Sequence, residues 1–379
     1  MSKVTTTARF IGLTGFTLLG AHASAAPLMK FQVDTVTATD LGTLGGANSS
    51  AADINNAGSI VGWAEDANGA RRASLWRPGV TIDLGVYQRA DSSEALGINS
   101  REQVVGFWQT AGRKRAFRYT DPGLFETLSD GSTKYQLISS KAVAINRRGE
   151  MVGQRDFVGS NYSEATLWTD PGIFYAVYST PPFSSFVLDI NDRGALVGRD
   201  KHAERADRWQ WTGSAFNLTG IPRPGSGAYQ DGGALGINTD GVLVGYFDTP
   251  PYTNGMFAKH AMLWDGVSSR SLVIGVLPTG LNSTADDVNS ERFVVGRADR
   301  VELMIPGLFT IYVDKAFLYH ADFGLYVLPQ PNGAPFLGQC RAQALTDRTA
   351  SGISVVGTCD GNGGTRAVRW DIQLKRVPA

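Results

Sequence analysis

The amino-acid sequence predicts an all-β protein: a single seven-bladed propeller of four-stranded antiparallel blades, closed by an N-terminal strand. Three observations carry this expectation. The phrase Ile-Asn-x-x-Gly-x-Ile/Val-Val-Gly is clearest within residues 52–62. It recurs in looser spellings at Ala95–Gly106, Ala142–Gly153, Val187–Gly198, Ala234–Gly245, Ala285–Gly296 and, stretched, at Ala342–Gly357. Each copy is followed by an Ala-x-x-Trp/Tyr phrase, from Ala73–Trp76 to Ala367–Trp370. Finally, Asp40-Leu41-Gly42 stands ahead of the first copy and reappears as Asp83-Leu84-Gly85 at the end of the first full unit, so the chain begins on the last strand of a unit. A wheel is locked in this way, with the leading strand completing the final blade.

In chain order, residues 1–26 read as a secretory signal. Lys3 and Arg9 give a positive start, Phe10 to Gly20 is apolar, and Ala23-Ser24-Ala25 offers small residues for cleavage. The apolar run is shorter than the roughly twenty residues that span a bilayer, no cysteine marks a lipid anchor, and nothing later in the chain is apolar enough to span. The mature chain, 27–379, is therefore expected in the periplasm or medium. Lys plus Arg and Asp plus Glu balance at 35 each; removing the signal takes away two cations and no acid, leaving a net charge of −2. A near-neutral chain has no electrostatic footprint for nucleic acid or anionic membrane.

Phe31 to Leu44 alternates as a strand. In each unit a first strand ends in Ile-Asn, and Asn55-Asn56-Ala57-Gly58 has Asn and Gly at the first and fourth positions of a type I turn. Asn99, Asn146, Asn191, Asn238 and Asn289 hold the equivalent place, a structural rather than catalytic one. The second strand ends at Gly62, Gly106, Gly153, Gly198, Gly245, Gly296 and Gly357, separated by 44 to 61 residues on subtraction, the length of one four-stranded blade. A strand glycine implies a close neighbour, and the third-strand Trp or Tyr is the expected occupant, its ring lying across the glycine. Pro-Gly and Asp-Gly turns then lead to an outer strand. Small residues at Gly97, Ala144 and Gly236 suit the crowded centre of a ring. Cys340 and Cys359 flank the seventh hairpin, where its open ends face each other, and are expected to form a disulfide.

The Leu-Gly-Thr-Leu-Gly-Gly run at 41–46, the Ile-Asn-x-x-Gly-x-Val-Val-Gly phrase and the Ala-Phe/Met-Leu-Trp phrase together resemble the HAF repeat family of extracellular repeat proteins. The resemblance runs from Leu41 to Trp370 and implies an exported, propeller-like protein without an assigned activity. The histidine of the family's tripeptide survives only at His260-Ala261-Met262. Arg115, Lys315 and Arg205 replace it elsewhere.

The chemistry is sparse. After the signal only His202, His260 and His320 remain, without ligand spacing, and no zinc, P-loop, dinucleotide or nucleophile-elbow motif occurs. No metal or cofactor is expected. Two functions stay open. The first is an interaction module, expected as a monomer, binding an unknown protein or glycan. It would use the rim where the connections 219–233, 248–259 and 297–315 lengthen, with Tyr246, Phe247, Tyr252, Phe257, Phe309 and Tyr312 as candidate contacts. The alternative is a polysaccharide hydrolase or lyase whose paired carboxylates face each other near the central channel, with Asp91, Glu94, Asp231, Asp286 and Asp287 as candidates.

Overall fold

A computed structural model describes residues 28–85, 90–121, 123–129, 137–157, 163–177, 184–200, 205–222, 231–249, 258–266, 270–305, 309–332, 337–361 and 363–379. The proposed signal lies outside them. Among the described residues every regular element is a strand, and no helix is long and apolar enough to cross a membrane.

Among the described residues twenty-eight strands make seven four-stranded antiparallel sheets. The innermost strands of blades one to seven are Gly45–Ile54, Ser92–Ile98, Leu137–Ile145, Ser185–Ile190, Gly232–Ile237, Ser283–Val288 and Cys340–Leu345. Blades one to six each run outward through four consecutive strands. Blade seven does not: its outer strand is Met29–Asp40, which pairs with Gly364–Pro378 from Met29↔Pro378 to Asp40↔Val368. The first and last of the described strands thus share one sheet. Cys340 and Cys359 sit directly opposite each other in that blade and are bonded.

In blades one to six the inner strand closes on the expected turn, whereas in blade seven a longer connection joins Thr346 to Ser354, with Thr346 N–H donating to Ser354 O (2.9 Å). In blade one, Gly58 N–H donates to Asn55 O (2.9 Å), and Asn55 Oδ1 accepts from Ala57 and Ser59 N–H (3.1 and 3.0 Å). The fourth turn residue has positive φ (+86° at Gly58), where glycine has no Cβ to clash. In blades two and six that place is held by Glu102 (φ 57°) and Arg292 (φ 66°), a costlier choice.

The second-strand glycines have a different cause from the expected one. Every inner strand carries a β-bulge opposite its glycine, as between Ala51 and Asp53 where Ala51 pairs with Gly62. The bulge drives a carbonyl of the inner strand against the neighbouring backbone. A Cβ at Gly62 would sit 2.0 Å from Ser50 O, and one at Gly198 would sit 1.8 Å from Phe186 O. The space a side chain would need is closed by main chain.

The rings instead pack back onto the preceding blade. Trp76, Tyr119, Trp168, Trp209, Trp264 and Trp370 are buried, and Tyr319 is half-buried. Trp168 lies among Val105, Ala116 and Leu128 of blade two, and its indole N–H donates to Ser129 O (2.9 Å). Trp264 and Trp370 do the same to Pro222 O and Pro329 O (3.2 and 2.7 Å). Burying a ring of this size contributes a few kcal/mol. The core is therefore a set of inter-blade seams.

One seam device is visible only in three dimensions. Ser49, Ser93, Ser140 and Ser283 stand two residues before the inner-strand alanine. Their hydroxyls accept from the third-strand N–H groups of Ala367, Ala73, Ala116 and Ala261 in the preceding blade (3.0, 2.9, 2.9 and 2.8 Å). In blade seven this place belongs to Cys340.

Candidate functional site

Three regions could carry function: the axial channel, the rim and a cleft between blades five and six.

The turn end of the channel is a ring of asparagines. Asn55, Asn99, Asn146, Asn191, Asn238 and Asn289 each donate from Nδ2 to the backbone carbonyl of the equivalent residue in the next blade, over 2.9 to 3.1 Å. In blade seven Thr346 receives such a bond and has no amide to pass it on. The gap is bridged outside the ring, where Asn56 Nδ2 donates to Asp347 Oδ2 and Asp347 N–H donates to Asn56 Oδ1 (both 2.9 Å). The mouth encloses about 250 Å³.

Beyond a collar of Ile54, Ile98, Ile145, Ile190, Ile237, Val288 and Leu345, a second space of about 150 Å³ is lined by Asp53, Asp189, Asp286 and Asp287. Three of these carboxylates join neighbouring blades. Asp53 accepts from Ile54 N–H (2.7 Å) and, across the seam, from Ile98 N–H (2.8 Å). Asp189 does so with Ile190 and Ile237 (2.7 and 2.8 Å), and Asp287 with Val288 and Leu345 (2.7 and 3.0 Å). Each borders channel space and is half-buried by surface area, yet protein surrounds it closely enough for desolvation to dominate its titration. Burial pushes Asp53 and Asp189 up to about 7 and Asp287 to about 6; Asp53 and Asp189 are raised further by the charge of Asp287. Asp286 is also raised by burial, to about 7, against the pull of Arg297 and Arg341.

Of the acids singled out from sequence, Asp286 and Asp287 reach the channel. Asp91 instead accepts from Ala111 N–H (2.7 Å), Glu94 pairs with Arg71 (2.9 Å), and Asp231 with Arg199 (2.6 Å). Sequence reasoning missed Asp53 and Asp189. The signal was the residue before Ile-Asn, which is Asp in blades one and four, and Asp before Val-Asn in blade six. Where that place is Gly97 or Gly236, the next blade's backbone fills the space: an added Cβ would meet Ala144 Cα at 3.1 Å or Asp286 O at 2.7 Å.

At the rim, the expected connection 297–315 is not a loop. Val294–Ile305 and Phe309–His320 pair along their length, out to Ile305↔Phe309, so blade six throws out a β-arm. Leu303, Met304, Ile305 and Tyr312 are exposed on it, Met304 to 59% and Tyr312 to 41%. Phe309 takes part in the arm's backbone pairing. Phe247 is not a rim contact: it is 1% exposed and stands edge-on to Trp264 at 5.4 Å, because the residue after Tyr246 faces the seam. Tyr246 is half-buried under the Lys259 ammonium, 4.3 Å from the ring. Tyr252 and Phe257 lie outside the described residues.

At the root of the arm a cleft of about 220 Å³ opens between blades five and six, lined by Lys259, Asn282, Thr284, Arg297, Asp299 and Asp314 among others. Lys259 Nζ is 2.8 Å from Asp248 Oδ1. Arg297 donates from Nε to Thr284 Oγ1 (3.2 Å) and lies 3.6 Å from Asp314, which also meets Arg341 at 3.3 Å. Asp299 is spent on structure, accepting from Leu281 N–H, Asn282 N–H and the Asn282 amide (2.6, 2.8 and 2.8 Å).

Solved structures share this architecture. A streptogramin B lyase superposes with TM-score 0.51 at 12% identity, covering 89% of this chain and 98% of its own. The virginiamycin B lyase of Staphylococcus aureus gives 0.50 at 10%, covering 90% and 99%. The wheel is what they share. No protein-family model matches the chain, and no curated protein matches its sequence.

Among the described residues no group of three or more His, Cys, Asp or Glu side chains converges to hold a metal ion. His260 and His320, their pKa values lowered by burial, belong to different blades. His320 is part of the closure latch: it stacks on Phe293 (4.3 Å) and meets the edge of Phe31 (5.3 Å), whose N–H donates to Asp322 (2.6 Å).

Proposed function

We propose that the protein is an exported interaction module that captures a protein or glycan on the rim of blades five and six. The observation that carries this reading is the β-arm, a paired hairpin that extends past its blade and holds Leu303, Met304, Ile305 and Tyr312 exposed at its outer half. Exposed apolar side chains gathered on one projection are a usual mark of a contact surface. The signal at 1–26 and the resemblance to HAF repeats support export.

An enzymatic reading is favoured by one observation: channel carboxylates held near pH 6 to 7, a range suited to general acid–base work. The streptogramin B lyase among the structural neighbours makes a lyase thinkable, but at 12% identity it speaks for the fold alone. Against it, Asp53, Asp189 and Asp287 spend both oxygens on backbone N–H groups, leaving Asp286 as the one channel acid among the described residues without such a bond. A hydrolase of this kind uses two.

The experiment immobilises residues 27–379 and compares them with a variant in which 301–312 are replaced by Asn-Gly, across a glycan array and a secretome pull-down. Retained circular dichroism with loss of the captured ligand supports the module. Unchanged capture by the trimmed arm, or release of a cleaved product that stops in Asp286→Asn, refutes it.

A further inference from the structure

We propose that the cleft between blades five and six is a subsite for one pyranose ring of an uncharged glycan, an inference that rests on the interaction-module reading and names its ligand. Its ionic groups are paired yet only partly used. Arg297 has five N–H donors, of which the bond to Thr284 and the contact with Asp314 occupy two. Lys259 Nζ has three donors and gives one to Asp248. Asp314 meets both arginines through Oδ2, and its Oδ1 has no partner among the described residues. The cleft therefore presents unspent donors and an unspent acceptor side by side.

A sugar hydroxyl donates and accepts at once, so it can bridge an arginine or lysine N–H to the free oxygen of Asp314 without breaking either ion pair. An anionic ligand would have to compete with Asp248 and Asp314 for the same cations, with Asp299 in the wall beside it. Charge balance thus selects a neutral, hydroxyl-rich ligand. Size agrees: 220 Å³ is the room of about seven waters at ~30 Å³ each, enough for one ring and below the ~300 Å³ where pockets for larger ligands begin. A single small polar subsite binds weakly, with Kd on the order of 1 mM.

The test titrates cello-, xylo-, laminari- and mannohexaose, and oligogalacturonate as the anionic comparison, into residues 27–379 by calorimetry and saturation-transfer NMR. The expected result is binding of at least one neutral hexasaccharide, weakened about tenfold or more in Arg297→Met and in Asp314→Asn. Lys259→Met serves as a third variant should either fail to fold, and raising NaCl should change the affinity less than about twofold. Absence of binding by every neutral probe at about 10 mM, wild-type affinity in the folded variants, or a salt-sensitive preference for oligogalacturonate overturns the inference. The two readings separate cleanly. Capture lost on trimming the arm with no sugar in the cleft sinks the subsite alone, while sugar binding with capture indifferent to the arm sinks the arm's role.

Discussion

Replacing Asn191 with alanine tests the asparagine ring directly. Its side chain makes three bonds: Oδ1 accepts from Arg193 and Ala195 N–H (both 3.0 Å), and Nδ2 donates to Asn238 O (3.0 Å). They are not equal losses. Arg193 is exposed, so water replaces its partner, and Asn238 O still accepts from Gly241 N–H (3.0 Å). Ala195 is fully buried, and its N–H would be orphaned, which costs about 1–3 kcal/mol. The expected destabilisation is about 2 kcal/mol. With a urea m-value of roughly 3 kcal/mol/M or more for a chain of this size, the unfolding midpoint followed by tryptophan fluorescence falls by about 0.5 M. Thr239→Ala, at an exposed turn position of the next blade, should stay within about 0.5 kcal/mol. If Asn191→Ala is equally mild, the ring is ornamental and the turn is held by backbone alone. Asn146→Ala should be milder, because the N–H it would orphan belongs to Glu150, which is only half-buried.

Breaking the Cys340–Cys359 bond with Cys→Ser at both positions frees a loop of 19 residues' separation and should cost about 3 kcal/mol on the chain-entropy scale, read as a lower melting temperature that reductant reproduces in the wild type. Arg292→Gly should stabilise by about 0.5–1 kcal/mol by relieving a positive φ; an unchanged urea midpoint would refute the strain. Removing residues 28–40 strips the outer strand of blade seven and should give a chain that aggregates or melts well below the wild type, followed by light scattering. Stability should also fall as pH rises from about 4 to about 7. Folded Asp53, Asp189 and Asp287 hold protons up to about 7, 7 and 6, which the unfolded chain releases near 3.8, so the native wheel is favoured at the acid end and the effect is complete above about pH 7. His320, lowered by burial, works the other way and loses stability as pH falls through 6.5. Melting curves from pH 4.5 to 8 should slope downward, and less steeply in Asp53→Asn.

The repeats made the number of blades, the turn asparagines, the buried aromatic positions and the pairing of the two chain ends legible without coordinates. Each is a pattern within a hairpin or a match between the front and back of the chain, and local hydrogen bonding is enough to impose it. The arm reads as a loop in the sequence because Leu303-Met304-Ile305 gives no more signal than an ordinary apolar run until Phe309–Tyr312 is seen to pair with it. Phe247 reads as a rim residue for a related reason: neighbours alternate in a strand, and only the seam shows that Phe247 rather than Tyr246 faces inward.

What the sequence alone determined is the unit, seven β-hairpin pairs with an aromatic in each and a leading strand to close the ring. What the tertiary structure alone decided is how one unit meets the next. The serine hydroxyls serving a neighbour's alanine N–H, the carboxylates of Asp53 and Asp189 bridging blades and the cleft beside Arg297 all join groups from adjacent blades, many of them a blade's length apart along the chain. Residues that far apart have no mutual geometry until the wheel closes. The close packing of seven copies round one axis then determines which polar groups are tied into a seam and which still face a ligand.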